Sequence, residues 1–369
     1  MTAEMSAVSA VWPTTSADLP DTIDAVDRVL AARVADLRQI LIDAGCGLLD
    51  SPRLGVDLVT ELECRLADPS KRFRPALAHR GWQLGGGDDR SWHELVRVAA
   101  AMDLLHLFGL VHDDIMDRSQ TRRGRVTLHV DSSRRHREIG ASGDPDHFGD
   151  SVAILLGDLA LSEANSLVGE CSAAVRHAWR VMSVELVQGQ LLDVTHAADS
   201  RRDAASSQLI ARLKSGRYTV TRPLQLGALV AGSDPDVIDR LIAWGDVVGD
   251  AFALRDDVLG VWGDPAVTGK PADDDLMEGK PTMLLVWAAE LLDDRSRPLL
   301  NACRLGRLSA DAVDRLRRAM EAAGVRRRAE HELRAMTQRA RAMIPQLTDD
   351  RAAADALHVL IDTVAWRAA

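Results

Sequence analysis

A long apolar run that breaks off in carboxylates most constrains what this chain can fold into. Leu105-His106-Leu107-Phe108-Gly109-Leu110-Val111 leads straight into His112-Asp113-Asp114-Ile115-Met116-Asp117. Asp113 and Asp117 are four apart, so on a helix both carboxylates project from one face. A second acidic cluster, Arg255-Asp256-Asp257-Val258-Leu259-Gly260, lies on another stretch of helical periodicity. Carboxylates grouped on apolar helices are costly unless something positive sits among them, and a hard divalent cation is the usual answer. Two such clusters facing one another across a bundle would hold several Mg2+ ions against a diphosphate.

The lysines point the same way. Of 45 basic side chains only Lys71, Lys214, Lys270 and Lys280 are lysine; the rest are arginine. Each lies beside Arg, Gly or Ser: Ser70-Lys71-Arg72-Phe73-Arg74, Leu213-Lys214-Ser215-Gly216-Arg217, Gly269-Lys270 and Gly279-Lys280. A compact ammonium is not interchangeable with a planar guanidinium at an oxyanion site. Lysines and aspartates together describe a clamp for phosphate groups.

At 369 residues, with 46% apolar residues and only 4% aromatics, the chain carries a sizeable core and a composition that favours helix over sheet. Helical periodicity is read at about 23–41, 54–67, 73–85, 92–117, 150–168, 173–197, 206–231, 235–262, 281–293, 309–323, 325–344 and 350–367. No sustained apolar/polar alternation appears, so a sheet is not expected. Residues 1–22 read as a flexible leader, with Thr22 as N-cap of the first helix, and 23–369 as one all-helical domain. The polar gap from Asp131 to Asp150 reads as a surface loop. A net charge of −10 argues against nucleic acid as the main partner. Cys46, Cys64, Cys171 and Cys303 are scattered without zinc-ligand spacing, as expected of buried thiols in a reducing compartment. No uninterrupted apolar stretch reaches about 18 residues and no signal peptide is evident, so neither a membrane span nor export is expected, and the cytoplasm is.

The ordered set Ser70-Lys71-Arg72-Phe73-Arg74-Pro75, Asp113-Asp114-Ile115-Met116-Asp117, Arg122-Arg123-Gly124 and Arg255-Asp256-Asp257 with its downstream Gly269-Lys270 resembles the trans-isoprenyl diphosphate (polyprenyl) synthases, over roughly residues 65–285. The resemblance implies an all-α bundle around a central apolar cavity, usually a homodimer. It implies prenyl transfer between isopentenyl diphosphate and an allylic diphosphate, with roughly three Mg2+ ions per active site. By position, Lys71, Arg74, His106 and Arg123 match the isopentenyl diphosphate pocket. Asp113, Asp117 and Asp256 match the metal ligands, and Arg122, Lys214 and Lys270 match groups holding the allylic diphosphate. Lys280 lies in a second Gly-Lys element. Read without the resemblance, the first motif is also compatible with an acidic helix end tied to Arg122 and Arg123, and His106 with a satisfied core histidine. Gln190 and Asp193 fit another family segment or hydrogen-bond between helices.

Some positions depart from the family pattern. Ala253 stands where glutamine is usual, Asp273 where a small residue is usual, Pro69-Ser70 where two glycines are usual, and Gly260 where many members carry a third aspartate. Phe108, five before Asp113, lies roughly 7.5 Å deeper along the helix. Gly109 and Leu105 share the aspartate face more closely. By resemblance, these three residues set product length and suggest C20 geranylgeranyl diphosphate ahead of C15; Phe108 also reads as a plain core aromatic. A terpene cyclase and a non-catalytic partner subunit are the competing functions. Lys71, Arg74 and His106 speak against the first, and the intact aspartates against the second.

Overall fold

Helices dominate because apolar residues recur at helical spacing and short polar side chains stand ready to cap them. The computed structural model describes residues 19–46, 54–68, 71–199, 202–264, 274–305 and 307–367. Contacts gather these into two compact units, one of residues up to Arg80 with Gly87–Arg176, the other of Gly81–Gly86 with residues from His177 onward.

The first unit holds α1 (Leu19–Asp43), α2 (Leu58–Leu66), the start of α3 (Phe73–Leu84), α4 (Asp89–Met116), α5 (Leu128–Glu138) and α6 (Pro145–Gly169). At its centre is α4. Val98, Ala99, Ala100, Ala101, Met102, Leu104 and Leu105 are all buried, so this helix is apolar round most of its circumference, as a core helix must be. Its start is fixed by a capping box between Asp88 and Ser91, and its main neighbours are α6 and α1. Between α4 and α5 lies a small hairpin, β1 (Thr121–Arg122) paired antiparallel with β2 (Arg125–Val126).

The second unit takes α7 (Ala173–Ala198) from His177 on, then α8 (Ala204–Ile210), a π-helix (Ala211–Thr221), α9 (Arg222–Val230) and α10 (Pro235–Trp262). After these come α11 (Asp274–Met277), α12 (Met283–Leu291), α13 (Arg297–Arg304), α14 (Ala310–Ala323), α15 (Val325–Met343) and α16 (Arg351–Trp366). Here α10 is central, packed against the π-helix, α15, α9 and α16. Trp244 of α10 is fully buried, and its indole N–H donates to the carbonyl of Ala340 in α15 at 3.0 Å.

Several expectations are corrected. Helix α1 begins at Leu19, so Thr22 is not a cap but a buried residue within it; residues 1–18 lie outside the described residues. The gap from Asp131 to Asp150 is mostly helical. Asp131 stabilises α5 by pairing with Arg134 and Arg135, three and four residues on, and Asp144 with Pro145 at the first position starts α6 five residues before the expected 150. The hairpin and the short helices α11 and α13 were not foreseen, being too short for periodicity to register. The stretch read as 206–231 is three elements, with a π-helical turn in the middle. All four cysteines are free thiols, but only Cys171 and Cys303 are buried, and burial pushes their thiols up to about 12 and about 11.

Two helices, α4 and α6, are long and apolar enough by length and hydropathy to cross a membrane. Of their apolar windows, 67% in α4 and 44% in α6 is buried against the chain itself.

Candidate active site

In the first unit, α4 ends at Met116, and Asp117 follows as a C-cap that keeps helical dihedrals. Its N–H still donates to the carbonyl of Asp113 at 2.8 Å, so the two half-buried carboxylates share one face as their spacing demands. Asp114 points elsewhere. It is 6% exposed and accepts from both Nε (2.8 Å) and Nη2 of Arg122. Arg122 Nη2 also lies 3.6 Å from Asp113. Burial works against the Arg122 charge, but Asp114, Asp113 and Asp117 more than offset it and hold the guanidinium above its ordinary value.

This arrangement explains Arg122-Arg123-Gly124. The two residues joining β1 to β2 both have left-handed backbones, φ +52° at Arg123 and +73° at Gly124, as a tight two-residue hairpin turn requires. Arg122 anchors the strand to the acidic helix end, and the exposed Arg123 forms the tip. The ion-pair reading of this motif therefore holds for Arg122 with Asp114, while Asp113 and Asp117 keep their common face.

Of the residues matched to isopentenyl diphosphate, Arg74 and His106 are half-buried on α3 and α4. Lys71 is exposed and precedes α3, which begins at Phe73, so Lys71 and Arg74 do not share a helical face as their spacing suggested. Arg72 causes the break: its backbone is left-handed (φ +46°), and its side chain bridges Asp103 of α4 and, at 2.5 Å, Asp27 of α1.

The chain-length candidates divide. Phe108 stacks edge-on against His112, centroids 4.7 Å apart. The His112 ring turns toward α6, its Nε2 lying 3.2 Å from the carbonyl of Ile154, and Gly157 leaves the room it needs. Leu105 is 1% exposed. Gly109 borders open space: a Cβ built there meets no atom within 4 Å.

In the second unit, Asp256 is exposed on α10 and accepts from Arg367 at 2.8 Å. The Arg367 guanidinium lies 3.9 Å over the Phe252 ring, and its backbone carbonyl accepts two bonds from Arg255, at 3.0 and 2.8 Å. Asp257 is half-buried, and withdrawal from water together with Asp275, Asp256 and Asp193 holds its carboxyl well above the usual range; Lys280 opposes this. Lys280 pairs with Glu278 at 3.1 Å and Asp275 at 3.5 Å. Lys214 projects from the π-helix onto Asp193 of α7 at 2.6 Å, beside the half-buried Gln190. Ala253 is buried. Lys270 and Asp273, with Pro69 and Ser70, lie outside the described residues.

Three participants were not foreseen. Asp275 fills the space a side chain at Gly260 would need, since a Cβ there would sit 2.0 Å from its carboxylate oxygen; a third acid thus reaches the second cluster from another element. Asp114 anchors the hairpin, and Arg367 covers Asp256. For Arg367 no local sequence signal exists.

Among the described residues, no three or more His, Cys, Asp or Glu side chains are gathered closely enough to cage an ion. The donors nonetheless suit Mg2+, which is ordinarily held by one or two carboxylates together with substrate phosphates rather than by an all-protein cage. The strained charge state of Asp257 among other acids is what a hard cation relieves.

The family model for polyprenyl synthetase matches residues 58–322. The chain belongs to the polyprenyl synthetase family. Among characterised members, a (2E,6E)-farnesyl diphosphate synthase of Mycobacterium tuberculosis (strain ATCC 25618 / H37Rv) is 35% identical over 223 residues, 59% of this chain and 56% of that one. The chain thus spans little more than half the length of that relative. A geranylgeranyl diphosphate synthase of the same strain is 33% identical over 266 residues, 69% of each chain. The crystal structure of a geranylgeranyl pyrophosphate synthase from Corynebacterium glutamicum, complexed with isoprenyl diphosphate and magnesium, superposes with a TM-score of 0.86 at 33% identity. The superposition covers 95% of this chain and 99% of the other. The all-α fold expected of the sequence is the fold of this family.

Proposed function

We propose that the chain is a Mg2+-dependent prenyltransferase that condenses isopentenyl diphosphate with an allylic diphosphate to a trans-polyprenyl diphosphate, C20 ahead of C15. The observation that carries this reading is the second acidic cluster. Asp257 is held among Asp193, Asp256 and Asp275; Lys280 opposes their charge and Lys214 pairs with Asp193, so one region offers both acids that want a metal and ammonium groups that want an anion. Relatives named for C15 and for C20 products are similarly distant, so the product preference rests on the open space at Gly109.

In the reaction, the allylic C–O bond breaks, pyrophosphate leaves with the electron pair, the isopentenyl double bond attacks the allylic carbon, and a proton is lost. Asp113, Asp117 and Asp256 would hold Mg2+, which when bound neutralises the charge developing on pyrophosphate. Lys214, with Lys270 and Arg122, meets the same charge with cationic donors. Lys71, Arg74, His106 and Arg123 hold isopentenyl diphosphate by its charged end. The apolar α4 face beside Gly109 receives the growing chain and keeps water from the cation.

A homodimer in the cytoplasm fits this reading. On α7, Val184, Val187, Leu191 and Val194 recur at helical spacing and are each about half exposed, a stripe suited to a second copy. Solution mass tests that association.

The activity is tested by incubating the protein with Mg2+, labelled isopentenyl diphosphate and, in turn, dimethylallyl, geranyl or farnesyl diphosphate. Label in a longer diphosphate is expected. Unlabelled hydrocarbon would instead identify a cyclase, and no turnover a partner subunit.

A further inference from the structure

The π-helix is the least ordinary element of the second unit. Stretches bonded i→i+5 seldom exceed one turn and gather at functional sites, yet this one runs for 11 residues and carries Lys214. Two neighbouring helices hold it. On the α10 side, Arg212 donates from Nε to Asp250 at 3.0 Å and from Nη2 at 2.5 Å. Arg217 donates from Nε to Asp246 at 3.2 Å and from Nη2 at 2.8 Å. Both are two-pronged guanidinium–carboxylate pairs, the geometry that specifies direction as well as contact. Thr221 adds a third bond to Asp246 at 2.9 Å.

The spacing is informative. Asp246 and Asp250 are four apart, the repeat of an α-helical face. Arg212 and Arg217 are five apart, which share a face only if the turn is π-helical. Between the two rungs, Gly216 and Gly249 touch backbone to backbone; a Cβ on either would lie 2.8 Å from the other's carbonyl oxygen.

On the α7 side, Glu185, Gly189 and Asp193 are spaced by four and face the same element. Glu185 accepts from Arg217 at 2.9 Å and from Arg222 at 2.6 and 2.8 Å. A Cβ at Gly189 would lie 2.6 Å from the backbone nitrogen of Lys214. Asp193 receives the Lys214 ammonium.

We propose that the Arg212–Asp250 and Arg217–Asp246 pairs form a positioning ladder that sets the π-helical turn and so aims the Lys214 ammonium at a diphosphate. Asp246 and Asp250 touch no substrate; they act through Lys214. A turn relaxed to i→i+4 would move Arg217 off Asp246 and carry Lys214 around the axis away from Asp193. The role assigned to Lys214 rests on the prenyl-transfer reading.

The test uses the full chain and compares Asp246→Asn, Arg217→Lys and Asp246→Glu, each alone and combined with Lys214→Gln. The Michaelis constant for the allylic diphosphate should rise about ten- to a hundredfold in Asp246→Asn, the penalty of an ionic group misplaced by about an ångström. The constant for isopentenyl diphosphate should stay put, and Asp246→Glu should recover part of the loss. In the Lys214→Gln background Asp246→Asn should add almost nothing, because interacting residues are non-additive. Full additivity, or equal rises in both constants, overturns the ladder. Should Asp246→Asn fail to fold, Arg217→Lys, which keeps the charge and removes the fork, decides the matter. Wild-type protein that elongates no allylic diphosphate sinks the prenyl-transfer reading instead. The ladder is then judged by binding of Mg2+ with inorganic pyrophosphate, where the same non-additivity with Lys214 is expected and its absence overturns it.

Discussion

Lowering the pH should destabilise the first unit through one histidine. His79 on α3 is 2% exposed. The Trp92 indole donates to Thr22 Oγ1 at 3.1 Å, so the single hydroxyl hydrogen of Thr22 is left for His79 Nδ1, 3.0 Å away. That bond needs an unprotonated Nδ1. Burial, with Arg80 adding repulsion, pushes the ring from 6.5 down to about 4. Between those values the unfolded chain binds a proton that the folded one refuses, so stability falls as pH drops through this window and is whole above it. The limit is about 3 kcal/mol, at 1.36 kcal/mol per unit; between pH 7.5 and pH 5 the loss is about 2 kcal/mol. Urea unfolding at those two pH values, on wild type and His79→Gln, reads it. The glutamine does not titrate, so wild type should lose about 2 kcal/mol more than the variant. Asp257, held high in the folded chain, titrates with opposite sign but alike in both proteins, and cancels in the difference. Parallel stability curves for the two proteins would refute the argument.

Asp113→Ala should cut turnover about a hundredfold or more with the helical circular dichroism signal unchanged, and wild-type rates would remove the metal assignment. Gly109→Leu should shorten the product by filling the open space beside α4, and Phe108→Ala should lengthen it; chromatography of the diphosphates that finds both distributions unchanged would place the growing chain elsewhere. Arg367→Gln should lower the Mg2+ concentration for half-maximal activity about two- to fivefold, the range of an exposed ion pair, because a guanidinium no longer competes for Asp256. An unchanged Mg2+ titration would show that this pair opens at no cost.

Long-period information survived well in the sequence. The apolar repeats placed the long helices, α5 excepted, within a few residues, and the spacing of Asp113 and Asp117 gave their common face correctly. Failures came where a side chain's partner is distant along the chain. The pairing of Arg122 with Asp114 was missed because it forms in a hairpin too short for any pattern. Lys71 and Arg74 have helical spacing, but the Arg72 pairs with Asp27 and Asp103 override it. The π-helix is invisible to a search tuned to one period, since its evidence is the mismatch between five-residue arginine spacing and four-residue aspartate spacing on another helix. Asp193, Asp275 and Arg367 reach the second cluster by tertiary packing alone.

The guanidinium seated against Asp114 and Asp113 means that this helix end is electrically quieted by the chain's own cation before any ion arrives. Arg367 does likewise for Asp256. A chelator should therefore strip reactivity and leave the helices standing, unlike a zinc finger, which collapses when its ion is taken away. Magnesium would come and go with each substrate as a visitor, not a keystone.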